Sequence, residues 1–150
     1  MKFNKIFIVL LLLILASIIG IACAEEASVA NHKFTIPEGY KVLNTTDDTI
    51  ILTQDDDHVI VVIVPEEVKN VNDAKSYLEA QGYKFIGGET YNADGKEVQQ
   101  HNYEKDGYTV MSYIIPAGED HCIVTYTIPA DETAPEGADN PVTTVLNSIH

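Results

Sequence analysis

The sequence predicts an α+β domain in which a mostly antiparallel sheet carries two packed helices. Three observations predict it. Residues 59–64 form an unbroken aliphatic, β-branched run, residues 83–129 read as extended segments separated by turn sequences, and two short segments space their apolar residues as helices do.

The first strand spans residues 32–36 and is ended by Pro37-Glu38-Gly39, after which residues 40–44 resume extended structure. Strands over residues 49–54 and 58–64 flank Asp55-Asp56-Asp57; the second is continuously aliphatic over residues 59–64, as a central strand covered on both faces would be. Pro65-Glu66-Glu67 breaks the run. A helix follows over residues 73–81, with Asn72 as cap, Gly82 as terminator and Val71, Ala74, Tyr77 and Leu78 as its apolar stripe. A meander comes next: residues 83–91, the turn Asn92-Ala93-Asp94-Gly95, residues 96–105, the turn Asp106-Gly107, residues 108–116, the turn 117–120 and residues 121–129. Asp-Gly is a strong two-residue hairpin signal because both central positions of that turn need positive φ. A polar loop over residues 130–139 leads to a closing amphipathic helix, with Asn140 as cap, Pro141 in its first turn and Val142, Val145, Leu146 and Ile149 on its buried stripe.

Ahead of this domain, residues 1–24 have the layout of a secretory signal: Lys2 and Lys5, an apolar run over residues 6–22 and the small triplet Ala22-Cys23-Ala24. Three fates are open. Cleavage after Ala24 gives a chain beginning Glu25-Glu26; reading Gly20-Ile21-Ala22-Cys23 as a lipobox leaves Cys23 lipidated; retention leaves an N-terminal anchor. The domain organisation is then a signal over 1–24, a short tether over 25–31 and one domain over 32–150. The expected location is outside the cell or on the outer face of its membrane, with membrane contact only through the N-terminal segment.

The chain has 150 residues and a formal charge of -14; losing Lys2 and Lys5 leaves seven lysines against 23 acids, a net -16, with no arginine. Such a surface repels phosphate backbones, which excludes a nucleic-acid partner. Cys122 has no mature partner, since Cys23 belongs to the signal, and it shares a strand face with Val124, Tyr126 and Ile128. It is expected as a small core residue.

The order of these elements, opened by Phe34-Thr35-Ile36-Pro37-Glu38-Gly39-Tyr40 and closed by Leu146-Asn147-Ser148-Ile149, resembles the PsbP-like family over roughly residues 34–149. The resemblance implies an α/β/α sandwich and an accessory or binding role. It carries over no functional residue.

The Asp106-Gly107 turn sets a register that pairs Lys105 with Tyr108, Tyr103 with Val110, His101 with Ser112, and Ser112 with Thr125 across the following hairpin. One face then holds Val98, Met111, Tyr113, Ile115, Cys122, Val124 and Tyr126 as core. The other holds the row His101, Ser112, Thr125 beside Tyr103, and this mixed face is the expected binding surface. Ser112 beside His101 is also the minimum for a small envelope hydrolase, although no acid orients the imidazole and no glycine turn presents the hydroxyl. Asp55 and Asp57 with His58 and His121 are weak metal candidates: the acidic run lacks the glycine and ligand spacing of a calcium loop, and the histidines lack zinc spacing. Asn44-Thr45-Thr46 is a glycosylation sequon in an expected surface turn. No motif requires a cofactor. The sequence thus leads to an exported, non-enzymatic accessory or binding domain whose partner is an envelope protein or a small ligand. The alternatives are the Ser112–His101 hydrolase and a divalent-cation-binding surface protein.

Overall fold

The computed structural model describes residues 24–150; the expected signal up to Cys23 lies outside the described residues. Nine strands form two sheets. β1 (Glu26–Val29) and β2 (His32–Thr35) make a hairpin, while β3 (Lys41–Thr45), β4 (Thr49–Thr53), β5 (Val59–Ile63), β6 (Lys84–Ala93), β7 (Lys96–Lys105), β8 (Tyr108–Ala117) and β9 (Asp120–Pro129) form a sheet ordered β3-β4-β5-β9-β8-β7-β6. Every pairing is antiparallel. Helix α1 (Val71–Ala80) lies between β5 and β6 in the chain, and α2 (Pro141–Ser148) closes it.

The expected meander register is present residue for residue: Lys105 pairs with Tyr108, His101 with Ser112 and Ser112 with Thr125. Asp106 and Gly107 take φ of 52° and 84°, the left-handed pair that a two-residue hairpin needs. The two neighbouring turns are tighter than the sequence implied. Ala93 pairs with Lys96 around Asp94-Gly95, and Ala117 pairs with Asp120, so each turn keeps only two residues outside the ladder.

One face of the large sheet packs the main core. Ile50, Leu52, Ile60, Val62, Val98, Tyr113, Ile115, Cys122, Val124 and Tyr126 meet Val29 and Phe34 from the hairpin and Val142, Val145, Leu146 and Ile149 from the C-terminal segment. Burial pushes the Cys122 thiol up to about 12, so it stays protonated and unreactive, as a core residue should. The C-terminus is stitched to β2 by reciprocal bonds between Lys33 and His150, at 2.9 and 3.0 Å. Lys96 Nζ donates to the Leu146 and Ile149 carbonyls at 3.1 and 2.9 Å, placing a cation at the negative end of α2.

On the other face α1 covers only part of the sheet. Ala74 and Val68 pack on Ile114 and Ile123, and Leu78 on Tyr103 and Val110. β5 is an interior strand, third of the seven, while β9 holds the centre; Val59, Val61 and Ile63 on that face stay half-exposed, because α1 lies over β7, β8 and β9. Asn70, not Asn72, caps α1: its side chain accepts the Asp73 N–H at 3.0 Å. The cap thus starts the helix two residues earlier than expected. The segment expected as a tether is also different. Residues 26–29 are β1, and Val29 is 2 % exposed within the main core.

Candidate functional site

The row expected to be a binding surface is in register but is not open surface. Ser112 and Tyr103 are 0 % exposed and Thr125 is 8 %, because α1 and Val68 sit on their side of the sheet. The Ser112 Oγ is buried without a hydrogen-bond partner, so it is not bonded to His101. His101 is held instead by packing. Its ring stands edge-on to Phe85 at 5.3 Å and against Gly88, where a Cβ would come within 2.8 Å of the imidazole. Burial, then the charge of Lys75, lowers its pKa and keeps it neutral. The hydrolase expectation fails on this geometry, since a substrate cannot reach Ser112 and no base touches it.

An orphaned buried hydroxyl is a cost, not an asset. Ser112→Ala should therefore leave the protein unchanged or stabilise it by up to about 1 kcal/mol in chemical denaturation. A loss beyond about 1 kcal/mol would show that the hydroxyl has a partner.

Of the metal candidates, Asp55, Asp57 and His58 lie together and His121 is far from them. Val59 pairs with Thr127 and Ile63 with Ile123, so His58 and His121 lie at opposite ends of the β5–β9 pair, about 20 Å apart along the strands. His58 is held between two carboxylates: Nδ1 lies 2.8 Å from Asp55 and Nε2 2.7 Å from Glu132. Asp55 also accepts the backbone N–H of Asp57 and of His58, each at 2.9 Å, and Asp57 accepts the Tyr108 hydroxyl at 2.8 Å. The acidic tip is a closed hydrogen-bond network that ties the β4–β5 turn to the segment after β9. Among the described residues no cluster of three or more His, Cys, Asp or Glu is arranged to hold a metal ion.

That clamp has a defined pH dependence. Donating its ring N–H groups to Asp55 and then Glu132 raises the His58 pKa above its ordinary 6.5, so its contribution is complete below about pH 6.5 and is lost as pH rises through the raised value. The same contact lowers Asp55 below 3.8, so its contribution is complete above that pH and is lost as pH falls through the lowered value. The melting-temperature difference between wild type and His58→Gln should therefore be largest between about pH 4 and 6.5 and shrink toward pH 8. A difference that does not change across that range would show that the clamp is uncharged.

Asn44 is exposed but stands on β3, an edge strand with a bulge beside Asn44, and not in a turn; its Oδ1 accepts the Thr45 N–H at 2.9 Å.

The concave feature lies on the main-core face, at the β6 side. α2 has eight residues and reaches roughly 12 Å, whereas β6, β7 and β8 have ten residues each and run about 33 Å. The helix cannot cover them. A groove of about 550 Å³ remains, floored by Glu89, Tyr91, Gln100, Met111 and Tyr113 and walled by residues 133–137 and the start of α2. Glu89, Gln100 and Tyr113 are direct cross-strand neighbours in one row. Asn140 Nδ2 points to the Tyr113 hydroxyl at 3.4 Å, and burial pushes that phenol up to about 12. Burial and then the Glu89 charge also raise the Tyr91 phenol. Met111 and Tyr113 are core residues, as their strand face implies, but the opening of the core at its edge has no signal in the sequence.

A central antiparallel sheet with helices on both faces defines a PsbP-like α/β/α sandwich. The chain is similar to the solution structure of cyanobacterial PsbP (CyanoP) from Synechocystis sp. PCC 6803, with a TM-score of 0.54 and 15% identity over 75% of this chain and 84% of that one. It is also similar to a crystal structure from Bacteroides thetaiotaomicron VPI-5482, with a TM-score of 0.57 and 10% identity over 85% of this chain. The chain spans 48% of the length of that Bacteroides protein. No family model and no curated protein matches the sequence. At these identities the likeness is one of fold.

Proposed function

We propose that this protein is an exported, non-enzymatic binding domain that works at the cell envelope, free or tethered through its N-terminus, and that the groove over β6–β8 is its ligand site. The observation that carries the binding role is the groove itself. It joins apolar and aromatic surface from Tyr91, Met111, Tyr113, Val142 and Leu146 to a few polar side chains, Glu89, Gln100 and Asn140, and has the volume of small-molecule sites. The secretory layout of residues 1–24 supports export, and the buried Ser112 with its neutral, packed His101 removes the best catalytic candidate. Among the described residues no helix is long and apolar enough to cross a membrane, so a tether would depend on the N-terminal segment or on a lipid at Cys23.

The test has two parts. The protein recovered from cell fractions is weighed intact: a mass beginning at Glu25, or a lipidated Cys23, or an intact Met1 in the envelope supports export by cleavage, lipidation or anchoring respectively. An intact Met1 in the cytosol overturns it. Immobilised protein is then exposed to envelope extract, and Tyr91→Ser, which changes the groove floor, should release a ligand that wild type retains. Equal retention by both overturns the groove as the site.

A further inference from the structure

We propose that the groove takes a small organic cation, an ammonium group on a short apolar body; this deepens the binding-domain reading and rests on it. The argument is one of charge and surface. Glu89 and Glu136 are exposed carboxylates on the groove lining, and no lysine or histidine lines it. Lys96, close by on β7, is engaged with the α2 carbonyls of Leu146 and Ile149.

The start of α2, which could otherwise attract an anion, is already closed. The Val142 N–H is taken by Asn140 Oδ1 at 3.0 Å and the Thr143 N–H by the Asn140 carbonyl at 3.0 Å, while the Thr143 hydroxyl donates to the Gly137 carbonyl at 2.7 Å. What faces the groove is therefore electron-rich. Tyr91 lies two positions along β6 from Glu89 on the same strand face, in the row next to that of Glu89, Gln100 and Tyr113, and both phenols stay protonated at neutral pH. Neutral phenol rings attract a cation through their faces, and a neighbouring carboxylate adds to that attraction where water is partly excluded. Met111, Val142 and Leu146 supply apolar surface for the body of the ligand. An anion would meet only like charge, and a neutral ligand would gain the apolar contact without the electrostatic one.

The probe is choline, compared with its uncharged isostere 3,3-dimethylbutan-1-ol, each titrated into the processed protein and followed by NMR. Choline should shift the Met111 methyl and the Tyr91 and Tyr113 ring resonances with an affinity at least tenfold higher than the isostere. Glu89→Gln should reduce that preference severalfold without lowering the melting temperature, and Glu136→Gln should do so more weakly. Equal affinity for the two probes in the groove overturns the cation inference and leaves the groove as the binding site. Shifts spread over surface carboxylates and insensitive to Glu89→Gln, or no shift of the groove resonances, also overturn it. Retention of a ligand from extract then decides separately whether the groove binds anything.

Discussion

Val29→Asp should lower the unfolding free energy by about 3 kcal/mol and the melting temperature by roughly 10 °C, although it falls in a segment whose composition reads as a tether. Val29 is 2 % exposed, pairs with His32 in the β1–β2 hairpin and packs into the main core with Phe34. The substitution removes about 1.5–2 kcal/mol of apolar burial and puts an unpaired carboxylate in its place. The chain relieves that charge by releasing β1, which limits the cost to the hairpin's own contribution. Ser28→Asp, on the exposed side of the same strand, should stay within about 0.5 kcal/mol of wild type. Equal melting temperatures for Val29→Asp and wild type would mean that residues 26–29 are a tether after all.

Tyr103→Ala should cost about 4 kcal/mol, a large share of the stability of a domain this size. Tyr103 is among the largest fully buried side chains; it packs with Leu78 of α1 and Val110 of β8, and against the rings of Tyr83 and Phe85 at 6.2 and 5.7 Å. Its removal leaves a cavity beneath α1 that the helix cannot fill without leaving Ala74 uncovered. Tyr103→Phe should cost under about 1 kcal/mol, because the hydroxyl's only hydrogen-bond partner among the described residues is His101 Nδ1 at 3.5 Å, the limit of a hydrogen bond. Where Tyr103→Ala does not fold, Tyr103→Leu keeps the test open with an intermediate loss measured by denaturant unfolding. A Tyr103→Ala protein as stable as wild type would return this face to the role of an open binding surface.

Much of the fold was legible because turn chemistry and strand alternation are local. Asp106-Gly107 set the β7–β8 register, and a slip of one residue would have moved Tyr113 and Ile115 out of the core. The opening hairpin escaped notice because its turn is Ala30-Asn31, with Ala30 at φ 44°, a conformation that sequence rules reserve for Gly, Asn and Asp. Asn70 and Asn72 flank Val71, the first residue of the apolar stripe of α1, and local pattern does not choose between them; in the fold Asn70 is the cap and Asn72 lies inside the helix. The candidate site was less legible. His101, Ser112 and Thr125 were put in the correct row, but whether a row is covered depends on where α1 docks, which leaves no mark on the row itself.

The sequence by itself determined the α+β class, the element order from β2 onward, the meander register and the core residues of β7–β9, since all of these follow from interactions between near neighbours in the chain. It also supplied the acidic, arginine-free composition and the expectation of a signal in residues 1–24. Only the tertiary structure decided which sheet face is covered, that β1 is a strand and that His58 clamps the β4–β5 turn to Glu132. It alone revealed the groove, which exists because an eight-residue helix is packed against ten-residue strands and leaves their far side open. That mismatch is between elements brought together by folding, and no local pattern in either element records it.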